Sequence, residues 1–222
     1  MKSACTSYRL RGKIAGMPIR RLPERAQHER AQLYAVLDGL WVATLSVAVG
    51  DVAQSVPILY GRDGDSIVLH GSTGAGTLRL LAAGRPATLC VSAIDGFVYA
   101  ESLFDSSANY RSAVVTGRVE VLSGAEADTA LLALSERIMP GRAAEVRPST
   151  RKELAATVVL RMPILDGSFT VKVRGGGTGE ERVTDDTWSG VLPVHTVFGT
   201  PQPEADGIPL PASIEARLAS GR

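Results

Sequence analysis

His70, Gly71, Ser72 and Thr73 stand together in the stretch SIVLHGSTGAGTLRLLAAG, between residues of strand character and a short helical pattern that holds Arg79 and ends at Gly84. Such a junction suits an anion. The first N–H groups of a helix have no intrahelical partner, and small residues leave them open to a ligand, phosphate being the usual guest. Ser72 and Thr73 add hydroxyl donors, and Arg79 adds a forked guanidinium if the helix turns it back towards the loop. A plainer reading has equal weight in this segment alone: Ser72 and Thr73 cap the helix and Arg79 is solvated. His70, at the strand end, is either hydrogen-bonded scaffolding or a proton donor facing a substrate, and it is the one candidate catalytic residue. Lys172 and Arg174 in KVRGG share a strand face by the period of two, where they either reach a cofactor or form solvated edge charges. His28 and His195 lie far from these motifs. No three-ligand set can be assembled, so no metal site is expected.

The elements that must position these groups come from a chain of 222 residues, 45% hydrophobic and 21% charged, which is ordinary globular composition for one or two domains. A formal net charge of +1 argues against nucleic acid or an anionic membrane as the main partner. Cys5 and Cys90 are far apart, and Cys90 sits in the apolar run ATLCVSA as a small hydrophobe, so neither a disulfide framework nor a zinc site is expected. No apolar run approaches the roughly 20 residues of a membrane span. The first residues lack the apolar centre of a signal peptide, and a cytoplasmic protein is the expectation. RGGGTG, Arg174 to Gly179, opens into charged, non-helical sequence rather than into the helix a dinucleotide fingerprint requires.

LPERAQHERAQLYAVLDG reads as a first helix, with Pro23 near its start and Leu33, Val36, Leu37 and Leu40 at helical spacing. Strand-like runs follow in LWVATLSVAV, AQSVPILY, SIVLH, ATLCVSA, GFVYAESLF and RSAVVTGRVEVL, divided by turn signals such as GRDGD and IDG. Helical pattern returns in AEADTALLALSERIMPG, where Ala130, Leu131, Leu134 and Ile138 form a stripe, and again at TRKE, where Thr150 and Glu153 have the capping-box spacing. ATVVLRMPIL and SFTVKVRGG close the series of strands, and the segment from Pro201 reads as an extended tail. The class is mostly β with flanking helices, a sandwich or barrel.

PERAQHERAQLYAVLDG, VPILYGRDGDSIVLHGS, DGFVYAESLFDSSANYRSAVVTGRVEVL, MPGRAAEVRPSTRKELAATVVL and WSGVLPV together resemble, in order and spacing, the pyridoxamine 5′-phosphate oxidase-like superfamily. Within it the resemblance is to the nitroimidazole-resistance (Nim) type of flavin-nucleotide-binding protein. It implies an FMN-binding split β-barrel over residues 20–200, preceded by an N-terminal arm, 1–19, and followed by a Pro-rich tail, 201–222. It also implies a homodimer with the cofactor in the groove between subunits.

On that resemblance Gly71, Ser72, Thr73 and Arg79 hold the FMN phosphate, and backbone groups of Val56 and Ile58 lie near the polar edge of the isoalloxazine. Asn109 and Tyr110 line the cavity or dimer groove, although such a pair entering a strand is more often a satisfied structural feature. Trp188 packs against the flavin rim or serves as an apolar plug. Many relatives carry a Ser-Arg pair where this chain has Ala75 and Gly76. One charge-assisted bond of about 1.5–3 kcal/mol is then missing, roughly one to two decades of FMN affinity. Deazaflavin and haem are therefore alternative cofactors. The expected activity is reduction of a small electron-poor compound such as a nitroaromatic by an FMN-dependent oxidoreductase, with His70 as proton donor or substrate anchor. A flavin or haem storage module, and a homodimer that has lost its cofactor, are the rival readings.

Overall fold

The computed structural model describes residues 26–27, 29–178, 186–205 and 207–220. Pro23, the N-terminal arm and the Gly-rich stretch from Gly179 lie outside them. Helix α1, Arg30–Asp38, buries Leu33, Val36 and Leu37 and stops at Gly39. Two hairpins follow. β2 (Val42–Val49) and β3 (Val52–Asp63) are joined through Gly50, and β3 and β4 (Ser66–Ser72) through Gly64; both glycines have positive φ, which a two-residue hairpin turn demands. After α2 (Gly76–Ala82) come β5 (Ala87–Tyr99), β6 (Ser107–Gly117) and β7 (Glu120–Leu122). α3 (Gly124–Ile138), a 3₁₀ turn at Arg142–Ala144 and α4 (Arg151–Ala155) lead into β8 (Thr157–Pro163) and β9 (Phe169–Arg174). β10 (Gly190–Pro193) and α5 (Ala212–Ala219) complete the chain.

All strand pairs are antiparallel, in the order β1-β9-β6-β5-β2-β3-β4-β8-β7, where β1 is Ala26–Gln27; β10 pairs with the outer half of β5. β3 hands the sheet over: residues 52–59 pair with β2, and residues 60–63 with β4. The two halves face one another across one core, in which Leu45, Leu89 and Val115 of the first half meet Ile67, Leu69 and Leu160 of the second. A smaller core of Val68, Leu122, Ala130, Leu134 and Val159 lies under α3. β4 is thus buried on both faces, Ile67 and Leu69 towards the barrel and Val68 towards α3. The architecture is mostly β with flanking helices, as the sequence pattern indicates.

Three departures have physical causes. ATLCVSA and GFVYAESLF are not two strands but one, because the IDG signal at Ile94–Gly96 is absorbed as a register irregularity of β5 against β6. RSAVVTGRVEVL is instead two strands, β6 and β7. The tail after Pro201 contains α5, tied down when the Glu145 carboxylate accepts from Ser213 N at 2.8 Å and from Ser213 Oγ at 2.6 Å. The Thr150–Glu153 capping box is present in both directions.

Candidate functional site

The β4–α2 turn is built by Ser72. Its hydroxyl accepts from Gly74 N–H at 3.2 Å, its carbonyl accepts from Ala75 N–H at 2.9 Å, and Thr73 N–H donates to Ala156 O at 3.0 Å. Ser72 therefore closes the turn. Thr73 is exposed, with its side chain available to a ligand. α2 begins at Gly76 with Ala75 in the N-cap position and no side-chain cap. Gly71 has a packing reason: a Cβ there would meet Leu78 Cδ1 at 2.6 Å, so glycine lets α2 rest on β4. Arg79 is exposed in the last turn of α2 and makes no ion pair with any described residue.

Beside this turn β3 offers a free edge. Residues 52–59 have β2 on one side and, among the described residues, no strand on the other. The two-residue hairpin fixes the alternation: Val52, Gln54, Val56 and Ile58 turn their backbone groups to β2, as Tyr60 does in donating to Trp41 O. The backbone groups of Val56 and Ile58 are thus already used, and their half-buried side chains pack on the core. The free edge belongs to Ser55, Pro57 and Leu59. Pro57, without an N–H, sits where a lost donor breaks no ladder bond.

On the α3 side of β4, His70 lines a cavity of about 660 Å³ with Leu131, Leu132, Met139, Leu154, Arg142 and Arg147 among its walls. The imidazole Nδ1 is buried and has no hydrogen-bond partner. Burial lowers the His70 pKa, so the ring is neutral near pH 7. A neutral imidazole of low pKa is a poor proton donor and a ready metal ligand. The guanidiniums are supported: Arg142 pairs with Glu145 at 3.2 Å, and Arg147 holds both oxygens of Glu153, at 3.0 and 2.6 Å.

The other predicted residues lie elsewhere. Arg174 donates to Ala108 O and Asn109 Oδ1, each at 3.1 Å, and Asn109 Nδ2 donates to Gly176 O at 2.8 Å. Asn109 and Arg174 so satisfy one another. Tyr110 stands between Ile94 and Arg174 in the sheet, and Lys172 beside Ser112. β9 is four strand positions from β3 along the sheet, and none of these residues shares a hydrogen bond with the β4–α2 turn among the described residues. Trp188 is 67% exposed and packs edge-on against Tyr99, 5.8 Å between centroids. The stripe that holds Leu131 does not by its spacing show that α3 also walls the His70 cavity. The readable signal was MPGRAAEVR, two arginines just past a helix end.

Among the described residues there is no cluster of three or more His, Cys, Asp or Glu side chains able to hold a metal ion. No described helix is long and apolar enough to cross a membrane. The family model described as pyridoxamine 5′-phosphate oxidase matches residues 29–170. The FAD and haem binding protein from Mycobacterium smegmatis is 40% identical over 87% of this chain and 97% of its own, with a TM-score of 0.83. The flavocytochrome Anf3 from Azotobacter vinelandii is 26% identical over 92% of this chain and 95% of its own, TM-score 0.81. A candidate 5-nitroimidazole antibiotic resistance protein from Bacteroides thetaiotaomicron shares the fold at 17% identity, covering 67% of this chain and 86% of its own, TM-score 0.56. No curated protein matches the chain.

Proposed function

We infer that this chain, which belongs to the pyridoxamine 5′-phosphate oxidase family, is a flavin-binding redox protein that also carries haem in the His70 cavity and works as a homodimer. One observation carries the reading: at the end of β4 the free edge of β3, the Gly71–Ala75 turn and the unpartnered imidazole of His70 adjoin. The relative at 40% identity is named for FAD and haem, which favours FAD over FMN as the flavin. The absence of a second cation at Ala75–Gly76 agrees with a nucleotide held by more than its first phosphate.

Flavin and haem, when bound, supply the electron transfer; the protein supplies binding, orientation and electrostatics. Ser55 and Leu59 each offer an N–H and a C=O along the β3 edge, a set suited to a heterocycle with alternating donors and acceptors. Thr73 and Arg79 are free to take the phosphate. His70 would offer a neutral imidazole nitrogen to a haem iron held in this cavity. Leu131 and Leu132 of α3 line the cavity beside it, and Arg142 and Arg147, paired with Glu145 and Glu153, keep further N–H donors for carboxylates at the same cavity. The reaction assigned is transfer of electrons to a small electron-poor acceptor, for which a nitroaromatic is a suitable test compound.

The homodimer draws support from the outer face of the sheet. Ser55, Ser46, Thr88 and Thr116 form a row of hydroxyls across β3, β2, β5 and β6, and Pro57, Thr44, Cys90 and Val114 form the next, with no charge in either. A second copy on that face is also the means of bringing Tyr110, Lys172 and Trp188 to a flavin.

The test is the absorption spectrum and cofactor content of the purified protein, expected to show flavin and a haem Soret band, with FAD released on denaturation. His70→Gln is expected to lose haem and keep flavin. Arg79→Ala is expected to weaken the flavin nucleotide roughly ten- to hundredfold while leaving riboflavin nearly unchanged. A colourless protein that takes up neither cofactor overturns the reading.

A further inference from the structure

A second cavity, of about 690 Å³, lies between the end of α3, residues after Phe198 and α5; it shares Met139 and Arg142 with the His70 cavity. Its volume is that of a small-molecule site. Ile138, Pro201, Ile208, Leu210, Ile214 and Leu218 make most of its wall apolar. Two guanidiniums interrupt that wall, and they differ. Arg142 is neutralised by Glu145, and Glu145 is further engaged by Ser213. Arg217 has no carboxylate within ion-pair distance among the described residues. It donates one N–H to Ile138 O, and its guanidinium carbon lies 5.2 Å from the Phe198 ring centre and 5.9 Å from that of Trp41. Among the described residues the remaining charge of the lining is Glu204, which is exposed.

A guanidinium carries five N–H donors in a fork, of which Ile138 O takes one. Held against aromatic rings beside an apolar wall, the others suit an oxyanion attached to an apolar body. We propose that this cavity binds an amphipathic monocarboxylate, its chain against the Ile and Leu wall and its carboxylate on Arg217. The site stands apart from the flavin and haem reading and holds whether or not that reading does.

Trp41 is the reporter. The chain has two tryptophans, and Trp188→Phe leaves Trp41 alone beside Phe198 and Arg217. The full-length Trp188→Phe protein is titrated with laurate and with dodecanol while Trp41 emission is followed. Laurate is expected to give a saturable change. Adding Arg217→Leu is expected to weaken laurate roughly tenfold or more and dodecanol by less than about threefold, with Arg217→Lys recovering part of the difference. Ile214→Phe narrows the cavity without touching the guanidinium and is expected to weaken both ligands. The proposal is overturned by no saturable response to laurate, by equal losses of laurate and dodecanol in Arg217→Leu, by no effect of Ile214→Phe, or by a response that follows protein concentration instead of laurate, which would put a second copy of the chain in the cavity.

Discussion

At the scale of single residues, His70 shows how position sets chemistry. The histidine was legible as a candidate because it ends a strand before a small-residue turn. Its surroundings were not, because the strand's alternation alone does not say that α3 covers the face it shares with Val68. Burial depresses its pKa below the unfolded value of about 6.5, so the unfolded chain binds a proton that the folded chain does not. Stability therefore rises with pH across that window: the contribution is complete above the unfolded pKa and is lost as pH falls towards the folded one. Urea midpoints of the haem-free protein are expected to fall between about pH 7 and about pH 5. His70→Gln should flatten that part of the profile. An unchanged slope in the variant would mean that another group titrates there. Val56 and Ile58 show the converse limit: which residues of β3 face its free edge depends on hairpin register, and the register assigns that edge to Ser55, Pro57 and Leu59.

At the scale of elements, local signals were legible where one local interaction suffices. Arg147, with the Thr150 groups of the capping box on the same carboxylate, holds the Glu153 pKa down to about 2, and the box starts α4 where TRKE says it should. The IDG signal misled because a bulge and a turn draw on the same residues, and only pairing with β6 separates them. α5 was hidden by prolines, its anchor being Glu145, remote in sequence. The packing of α2 on β4 gives a direct test. In Gly71→Ala the new methyl meets Leu78 Cδ1 at 2.6 Å, and because Leu78 is 5% exposed its room to move is small. A loss of about 1–3 kcal/mol is expected by denaturant unfolding. Leu78→Ala alone costs about 2–5 kcal/mol by truncation, but the double variant should cost less than the two together, since the clash disappears with the side chain. Strict additivity would show that the helix does not press on that glycine.

At the scale of the whole molecule, the outer face of the sheet is the feature a single copy leaves without purpose. A sheet face that stays in water ordinarily alternates charged and polar residues with the core positions. Here the outward positions of β2, β5 and the adjoining halves of β3 and β6 carry no charge, being serine, threonine, alanine, cysteine, valine, proline, leucine and isoleucine, and Ser46 Oγ already bonds Ser55 Oγ at 2.8 Å across the strands. Beyond this face the β5–β6 hairpin runs past the end of β2 and presents Leu103 and Phe104, 96% and 95% exposed, from a turn closed by Ser102, Asp105 and Ser106. A twofold contact places the same patch on itself, so a charge introduced near its centre meets its own copy. Ser46→Arg puts two guanidiniums there, and light scattering at micromolar protein is expected to change from dimer to monomer, with the fold retained by circular dichroism. Flavin affinity should fall with it, because Tyr110, Lys172 and Trp188 would then no longer be supplied by a partner. Asp51→Lys, at the exposed tip of the β2–β3 hairpin, carries a similar charge change off the patch and should leave the dimer intact. A Ser46→Arg protein that remains dimeric would move the interface elsewhere, and a wild-type monomer that binds flavin as tightly as any dimer would remove the need for one.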